Sequence, residues 1–84
     1  MSYQVVIKPT AERALNKLPK EIQLRIAVAI ELLSQNPYPP RSKKLIDRPG
    51  FRIRIGDYRI IYNVDNKILT IYVISIGHRR DIYT

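Results

Sequence analysis

Phe51-Arg-Ile-Arg-Ile-Gly-Asp-Tyr-Arg-Ile-Ile-Tyr62 (FRIRIGDYRIIY, residues 51–62) sets three arginines, Arg52, Arg54 and Arg59, inside a run of strand-forming residues. A strand sends alternate side chains to opposite faces. Gly56-Asp57 is a two-residue turn of the kind that begins with glycine. If the chain folds back there, Ile55 pairs with Tyr58, Arg54 with Arg59, Ile53 with Ile60 and Arg52 with Ile61. Residues opposed across a hairpin share a face. Ile53, Ile55, Tyr58, Ile60 and Tyr62 then make one face, and the three arginines make the other. The apolar face belongs beneath a cover of helices. The arginine face is expected to be open, with Arg54 and Arg59 only ~5 Å apart at Cβ.

Working outward from this hairpin, the apolar spacing changes period. Tyr3 to Lys8 is a short β-rich run ended by Pro9. Thr10 is expected to cap the next helix through its hydroxyl. Ala11, Ala14, Leu15 and Leu18 fall at helical spacing, and Pro19 separates them from a second stripe of Ile22, Ile26, Ala29, Ile30 and Leu33. This predicts a helical hairpin over 10–17 and 20–35. Asn36-Pro-Tyr-Pro-Pro40 is a cluster of helix breakers and must be a loop. Residues 41–49 are basic and irregular, with a short extended piece expected around Lys44 to Ile46. Past the hairpin, Asp65-Asn66-Lys67 makes a second turn, and Ile68 to Ile76 reads as a long central strand apolar on both faces. Residues 77–84 read as a polar tail. The expected fold class is α+β, in the order β-α-α-β-β-β: a mostly antiparallel twisted sheet with a two-helix hairpin packed on one face.

The bulk composition narrows the functional classes. A chain of 84 residues is a single domain, 1–84, with one modest core. The absence of cysteine excludes disulfides and thiolate metal sites, and the lone His78 cannot build a metal site by itself. No metal or cofactor is expected. No apolar run is long enough to span a membrane, and the N-terminus lacks a secretory leader, so the cytoplasm is the expected location and no membrane partner is expected. The strongest bulk signal is charge. Fifteen Lys and Arg against seven Asp and Glu leave +8, which favours a polyanionic partner.

That charge is concentrated where the hairpin lies. Arg41, Lys43, Lys44, Arg48, Arg52, Arg54 and Arg59 are met by only Asp47 and Asp57 in the same stretch, and His78, Arg79 and Arg80 follow later. Like charges directly opposite destabilise a hairpin. Asp47, Asp57 or Asp81 can offset part of the repulsion but are outnumbered. Arginine offers a planar, five-donor fork that suits phosphate. From the residues alone three readings stay open: nucleic-acid or phosphate binding, docking of an acidic protein, and a passive solvated face.

Several spaced motifs agree in order with one family. They are A-x-x-x-L-x-x-L-P at residues 11–19, the N-P-Y-P-P loop followed by Lys43-Lys44-Leu45, the hairpin F-R-I-R-I-G-D-Y-R-I-I-Y, the strand I-L-T-I-Y-V-I-S-I-G at 68–77, and H-R-R-D-I-Y at 78–83. Together they resemble the RelE/ParE superfamily of bacterial toxins from toxin–antitoxin operons. The RelE-like branch of that resemblance implies a ribosome-dependent endoribonuclease that cuts mRNA in the ribosomal A site. The RNA's own 2′-OH attacks the neighbouring phosphate without a metal. It further implies a RelB-like cognate antitoxin, the ribosome and mRNA as partners, and operator DNA bound only through the toxin–antitoxin complex. The residues it matches as catalytic are Arg52, Arg54, Arg59, Arg79 and Tyr83. Lys43, Lys44, Arg48 and Arg80 are expected to add RNA contacts.

In-line attack places negative charge on the phosphorus centre, and fixed cations aimed at it are an effective catalytic device. One departure from the family is chemical. Its members often carry Lys before the turn, and Lys can act as a base. Here both positions are Arg, which does not release its proton. The proton shuttle is therefore expected to be His78 or Tyr83. Two rival functions share these motifs: a ParE-type poison of DNA gyrase, and a non-catalytic basic module that binds RNA or antitoxin.

Overall fold

The computed structural model describes residues 2–78. The elements are β1 (Gln4–Ile7), α1 (Pro9–Asn16), α2 (Lys20–Gln35), β2 (Lys43–Lys44), β3 (Phe51–Ile55), β4 (Tyr58–Asp65) and β5 (Thr70–His78). They form a five-stranded sheet in the order β1-β5-β4-β3-β2. The first strand pairs parallel to the last, and every other pairing is antiparallel. This is the α+β class expected from the sequence.

The helical hairpin begins one residue earlier than the sequence suggested. Pro9 opens α1, and the capping position is Lys8, with no side-chain cap. Thr10 lies inside the first turn. Pro9 wins because its fixed φ suits the first helical position and its missing N–H has no partner to lose there. The two helices are stapled by Gln23, whose Nε2 donates to the carbonyls of Leu18 (2.8 Å) and Asn16 (3.3 Å). On α2, Ile26, Ala29, Ile30 and Leu33 are buried as their spacing requires, with Ile22 half-buried at the rim. A second apolar row, Leu24, Val28 and Leu32, is left about 60% exposed on the solvent side. Among the described residues no helix is long and apolar enough to cross a membrane.

The core lies between the helices and one face of the sheet. Ala11, Ile26, Ala29, Ile30 and Leu33 meet Ile53, Ile55, Ile60, Tyr62, Ile71, Val73 and Ile76. A fully buried side chain of this size contributes about 1.5–3 kcal/mol, so this layer dominates the stability. The hairpin adopts the expected register: Ile55↔Tyr58, Arg54↔Arg59, Ile53↔Ile60 and Arg52↔Ile61. Gly56 has φ 59°, the left-handed value needed at the first central position of such a turn.

Two boundaries move. The short extended piece is Lys43–Lys44, starting one residue and ending two residues before the expected one, because it pairs with Arg52 and Phe51. The last strand starts and ends two residues late. Asp65 Oδ1 accepts from the N–H groups of Lys67 (2.9 Å) and Ile68 (3.3 Å), and Leu69 sits at φ 49°. This side-chain-mediated turn extends the loop, and pairing with β4 carries the strand on through Gly77 and His78. A bulge between Ile61 and Tyr62 leaves Ile74 of β5 without an opposite number. The strand is central, between β1 and β4. Its second face is less covered than expected: Tyr72, Ile74 and Ser75 are only half-buried.

Candidate functional site

The register puts Arg52, Arg54 and Arg59 on the face away from the helices, but they do not share one environment. Arg54 is exposed, Arg52 is half-buried, and Arg59 is 3% exposed. The expectation of an open face therefore needs correction at its centre. Arg59 lies on β4, flanked by Arg54 on β3 and Gly77 on β5. Ile61, next on the same face, is buried too. A strand with neighbours on both sides has its side chains walled in, whereas β3 is nearly an edge. Its outer neighbour β2 covers only Phe51 and Arg52.

The exposed half of the cluster forms a cleft of about 360 Å³ lined by Arg41, Lys43, Arg52 and Arg54. Among the described residues no carboxylate lines it. Lys43 reaches it because it stands directly opposite Arg52. Lys44, opposite Phe51, belongs to the other face of the sheet. Arg48 is exposed in the 45–50 loop, outside the cleft lining.

Arg41 was not among the residues singled out from the sequence as site candidates. Its position depends on a chain of contacts. Tyr62, wholly buried in the core, donates its hydroxyl to the Pro37 carbonyl at 2.7 Å and fastens the loop after α2. Burial raises the Tyr62 hydroxyl above the ordinary tyrosine pKa. Phe51 stacks on Tyr62 (5.8 Å) and meets Tyr38 edge-on (5.2 Å), gripping the same loop. The chain then turns through Pro40 and Arg41, closed by Ser42 N–H to Pro39 O at 2.9 Å and Ser42 Oγ to Pro39 O at 2.8 Å. Proline presets the first central position of such a turn. Arg41 thereby arrives at the β3 edge, and its Nη2 donates to the Arg54 carbonyl at 3.0 Å.

Gly50 is equally constrained. It has φ 120°, and a Cβ there would lie 3.1 Å from both Tyr62 O and Asn63 Oδ1. Its carbonyl accepts from Leu45 N–H at 2.9 Å, which closes the loop leading into β3.

His78 does not share the face of Arg52, Arg54 and Arg59. It pairs with Tyr58 across β4–β5, and the two rings meet edge-on at 5.6 Å. Tyr58 shares its face with Ile60, and Arg59 points to the opposite side. His78 thus belongs to the helix side of the sheet. Arg79, Arg80 and Tyr83 lie outside the described residues.

Beside the cationic cleft runs an apolar groove of about 370 Å³, lined by Leu24, Val28, Ala29, Leu32 and Ile55 with Arg25 and Arg41 at its rim. Arg41 borders both hollows.

Comparison with known proteins agrees with this architecture. Residues 5–83 match the family model described as the ParE toxin of the type II toxin–antitoxin system parDE. Toxin RelG of Mycobacterium tuberculosis is 34% identical over 99% of this chain and 98% of its own length. The toxin–antitoxin complex RelBE2 of M. tuberculosis contains a chain 31% identical, with TM-score 0.79 over 94% of this chain and 100% of that one. The archaeal RelE–RelB complex of Pyrococcus horikoshii gives 29% identity and TM-score 0.80 over 94% and 97%. The chain belongs to the RelE/ParE superfamily of toxins from type II toxin–antitoxin systems.

Proposed function

We propose that this toxin is a ribosome-dependent endoribonuclease that cuts mRNA in the ribosomal A site by attack of the 2′-OH on the adjacent phosphate. The observation that carries the reading is the cleft of Arg41, Lys43, Arg52 and Arg54 beside the β3–β4 hairpin, which no carboxylate of the described residues lines. A phosphodiester is the anion such a surface suits, because arginine forks match its oxygens. Arg52 and Arg54 hold the scissile phosphate. Arg59, walled in between β3 and β5, supplies a fixed cation behind them. Charge fixed in a water-poor site stabilises the phosphorane more than the same charge in water. Arg79 adds to this set, with Lys43, Arg48 and Arg80 contributing RNA contacts; Lys44, on the other face of the sheet, does not join them.

Proton transfer is assigned to Tyr83 rather than His78. The arginines do not act as bases, and His78 lies on the other face of the sheet with Tyr58. The reaction needs no cofactor in this scheme.

The partner that restrains it is a RelB-like antitoxin, and operator DNA is bound through the resulting complex. Two similar solved structures are toxin–antitoxin complexes. The exposed row of Leu24, Val28 and Leu32 supports a protein partner, since contiguous apolar surface of this kind marks interaction sites. The working place of all these partners is the cytoplasm.

The family model that matches carries the ParE name, which keeps gyrase poisoning as the second reading. One experiment separates them. The protein is added to a translating bacterial extract that also holds gyrase and supercoiled plasmid. Cuts in mRNA that keep codon register are the expected result. Intact mRNA together with gyrase-linked DNA breaks would overturn the proposal in favour of the second reading.

A further inference from the structure

We infer that Arg41 forms a second phosphate subsite, taking the RNA phosphodiester next to the scissile one. The inference rests on the proposed RNA-cleaving role of the cleft.

Arg41 is placed by two independent constraints. The Pro39–Ser42 turn sets its backbone, and the bond from its Nη2 to the Arg54 carbonyl sets its guanidinium. That carbonyl lies beyond the reach of β2, which pairs only with Phe51 and Arg52. The bond uses one of the five N–H donors of the guanidinium. The group is thus held in position with donors to spare, which lowers the ordering penalty of binding an anion.

The spacing suits a polynucleotide. Lys43 and Arg52 stand opposite each other at one level of the sheet edge. Arg54, with Arg41 at its carbonyl, lies two residues further along β3, roughly 6.8 Å away. A step of that size is comparable to the separation of successive phosphates in an extended single strand. Cations spread over a step of that size, in a cleft that no carboxylate of the described residues lines, suit two consecutive phosphodiesters: Arg52 and Arg54 take the scissile one, and Arg41, held at the Arg54 carbonyl, takes the next. Arg41 is a binding residue in this arrangement. It holds the neighbouring phosphate and keeps the strand in line, and the charge that develops at the scissile phosphate falls to the other arginines.

The test uses the full chain and single-turnover cleavage of a defined mRNA on programmed ribosomes. Rate is followed against enzyme concentration, so that half-saturation and maximal rate are read separately. Arg41→Gln is the decisive variant, because it removes the charge and keeps a polar side chain on the same turn. The expected result is a rise of roughly tenfold in the half-saturating concentration, with the maximal rate within about threefold of the parent. The slope of log affinity against log salt falls by about 0.7, the value for one phosphate contact on a single strand. Arg41→Lys restores part of the affinity.

The phosphate can come from the mRNA or from ribosomal RNA. A neutral methylphosphonate at the neighbouring mRNA linkage separates the two sources. If it abolishes the difference between parent and Arg41→Gln, the phosphate is the mRNA's. If the effects add, the phosphate is ribosomal RNA's, and the placement of Arg41 next to the scissile linkage is overturned. Arg41→Gln with parental half-saturation and salt slope would overturn the inference and leave Arg41 as a strand-edge cap. A fall in maximal rate as large as that of Arg52→Ala would overturn it in the other direction. If Arg52→Ala itself cleaves like the parent, the RNA-cleaving reading fails, and the subsite with it.

Discussion

The two faces of the β3–β4 hairpin come from the same short stretch but are governed by different physics. The helix-facing side buries Ile53, Ile55, Ile60 and Tyr62, with Phe51 and Tyr58 half-buried at its ends. The opposite side grades from exposed Arg54 through half-buried Arg52 to Arg59 at 3% exposure. Burial on the first side follows from alternation alone. Burial on the second depends on strand order, because β4 is internal and β3 is almost an edge. Arg54 and Arg59 are direct partners across the hairpin, yet their surroundings differ almost as much as two sites can. A sequence pattern thus assigns a side chain to a face, and the topology decides how wet that face is.

Substitutions can break this contrast from either side. The largest effect is expected on the buried face. Ile60→Ala removes a wholly buried side chain and is expected to destabilise the fold by about 2–5 kcal/mol, while cleavage per folded molecule is unchanged. Denaturant unfolding monitored by circular dichroism, alongside activity in the folded range, checks both halves of that statement. On the cationic face the expectation inverts. Arg52→Ala is expected to lower the cleavage rate about 10²–10³-fold, which corresponds to about 2.7–4 kcal/mol of transition-state stabilisation. Unfolding and single-turnover assays on the same preparation give the comparison. An Arg52→Ala protein that loses stability but keeps its rate would merge the two faces into one structural unit.

Tyr62→Phe probes the link between the core and the loop that carries Arg41. Loss of the hydroxyl's bond to Pro37 O is expected to cost about 1 kcal/mol. The pH dependence has a definite sign. The folded-state pKa of Tyr62 is raised by burial above its unfolded value. Its contribution is therefore complete below the unfolded value near 10 and is lost as pH climbs through the raised one. Unfolding curves of parent and Tyr62→Phe should converge in strong alkali. The smallest effect belongs to Arg54→Ala, which removes a like charge opposite Arg59. A gain in stability of about 0.2–1 kcal/mol is expected with a loss of cleavage, read in the same two assays. No gain would mean that the arginine pair is already neutralised in the folded protein.

Much of this architecture is legible in local patterns. The turn at Gly56-Asp57 fixed every pairing in the hairpin, and apolar spacing alone located the core stripe of α2. The remainder was set by contacts between distant residues. Thr10 looked like a cap until Pro9 took the first helical position. Gly77 and His78 looked like tail, and pairing with β4 made them strand. The same pairing moved His78 to the side away from the arginines. Arg41 was visible only as one more basic residue, because its place depends on Tyr62 reaching Pro37 across twenty-five residues of sequence. A proline at the first central position of its turn was the one local hint. Burial of Arg59 had no local signal, since its spacing is identical to that of Arg54.

The claim at the centre is that the cationic face of the hairpin performs phosphodiester cleavage by 2′-OH attack. The most direct measurement is the chemistry of the new RNA ends. Programmed ribosomes are treated with the parent protein and with Arg52→Ala, and the released fragments are analysed by mass spectrometry. The expected products of the parent are a 2′,3′-cyclic phosphate on the upstream fragment and a 5′-OH on the downstream one, with neither formed by Arg52→Ala. Upstream fragments ending in a 3′-OH, or the same cyclic phosphate formed at undiminished rate by Arg52→Ala, would contradict it.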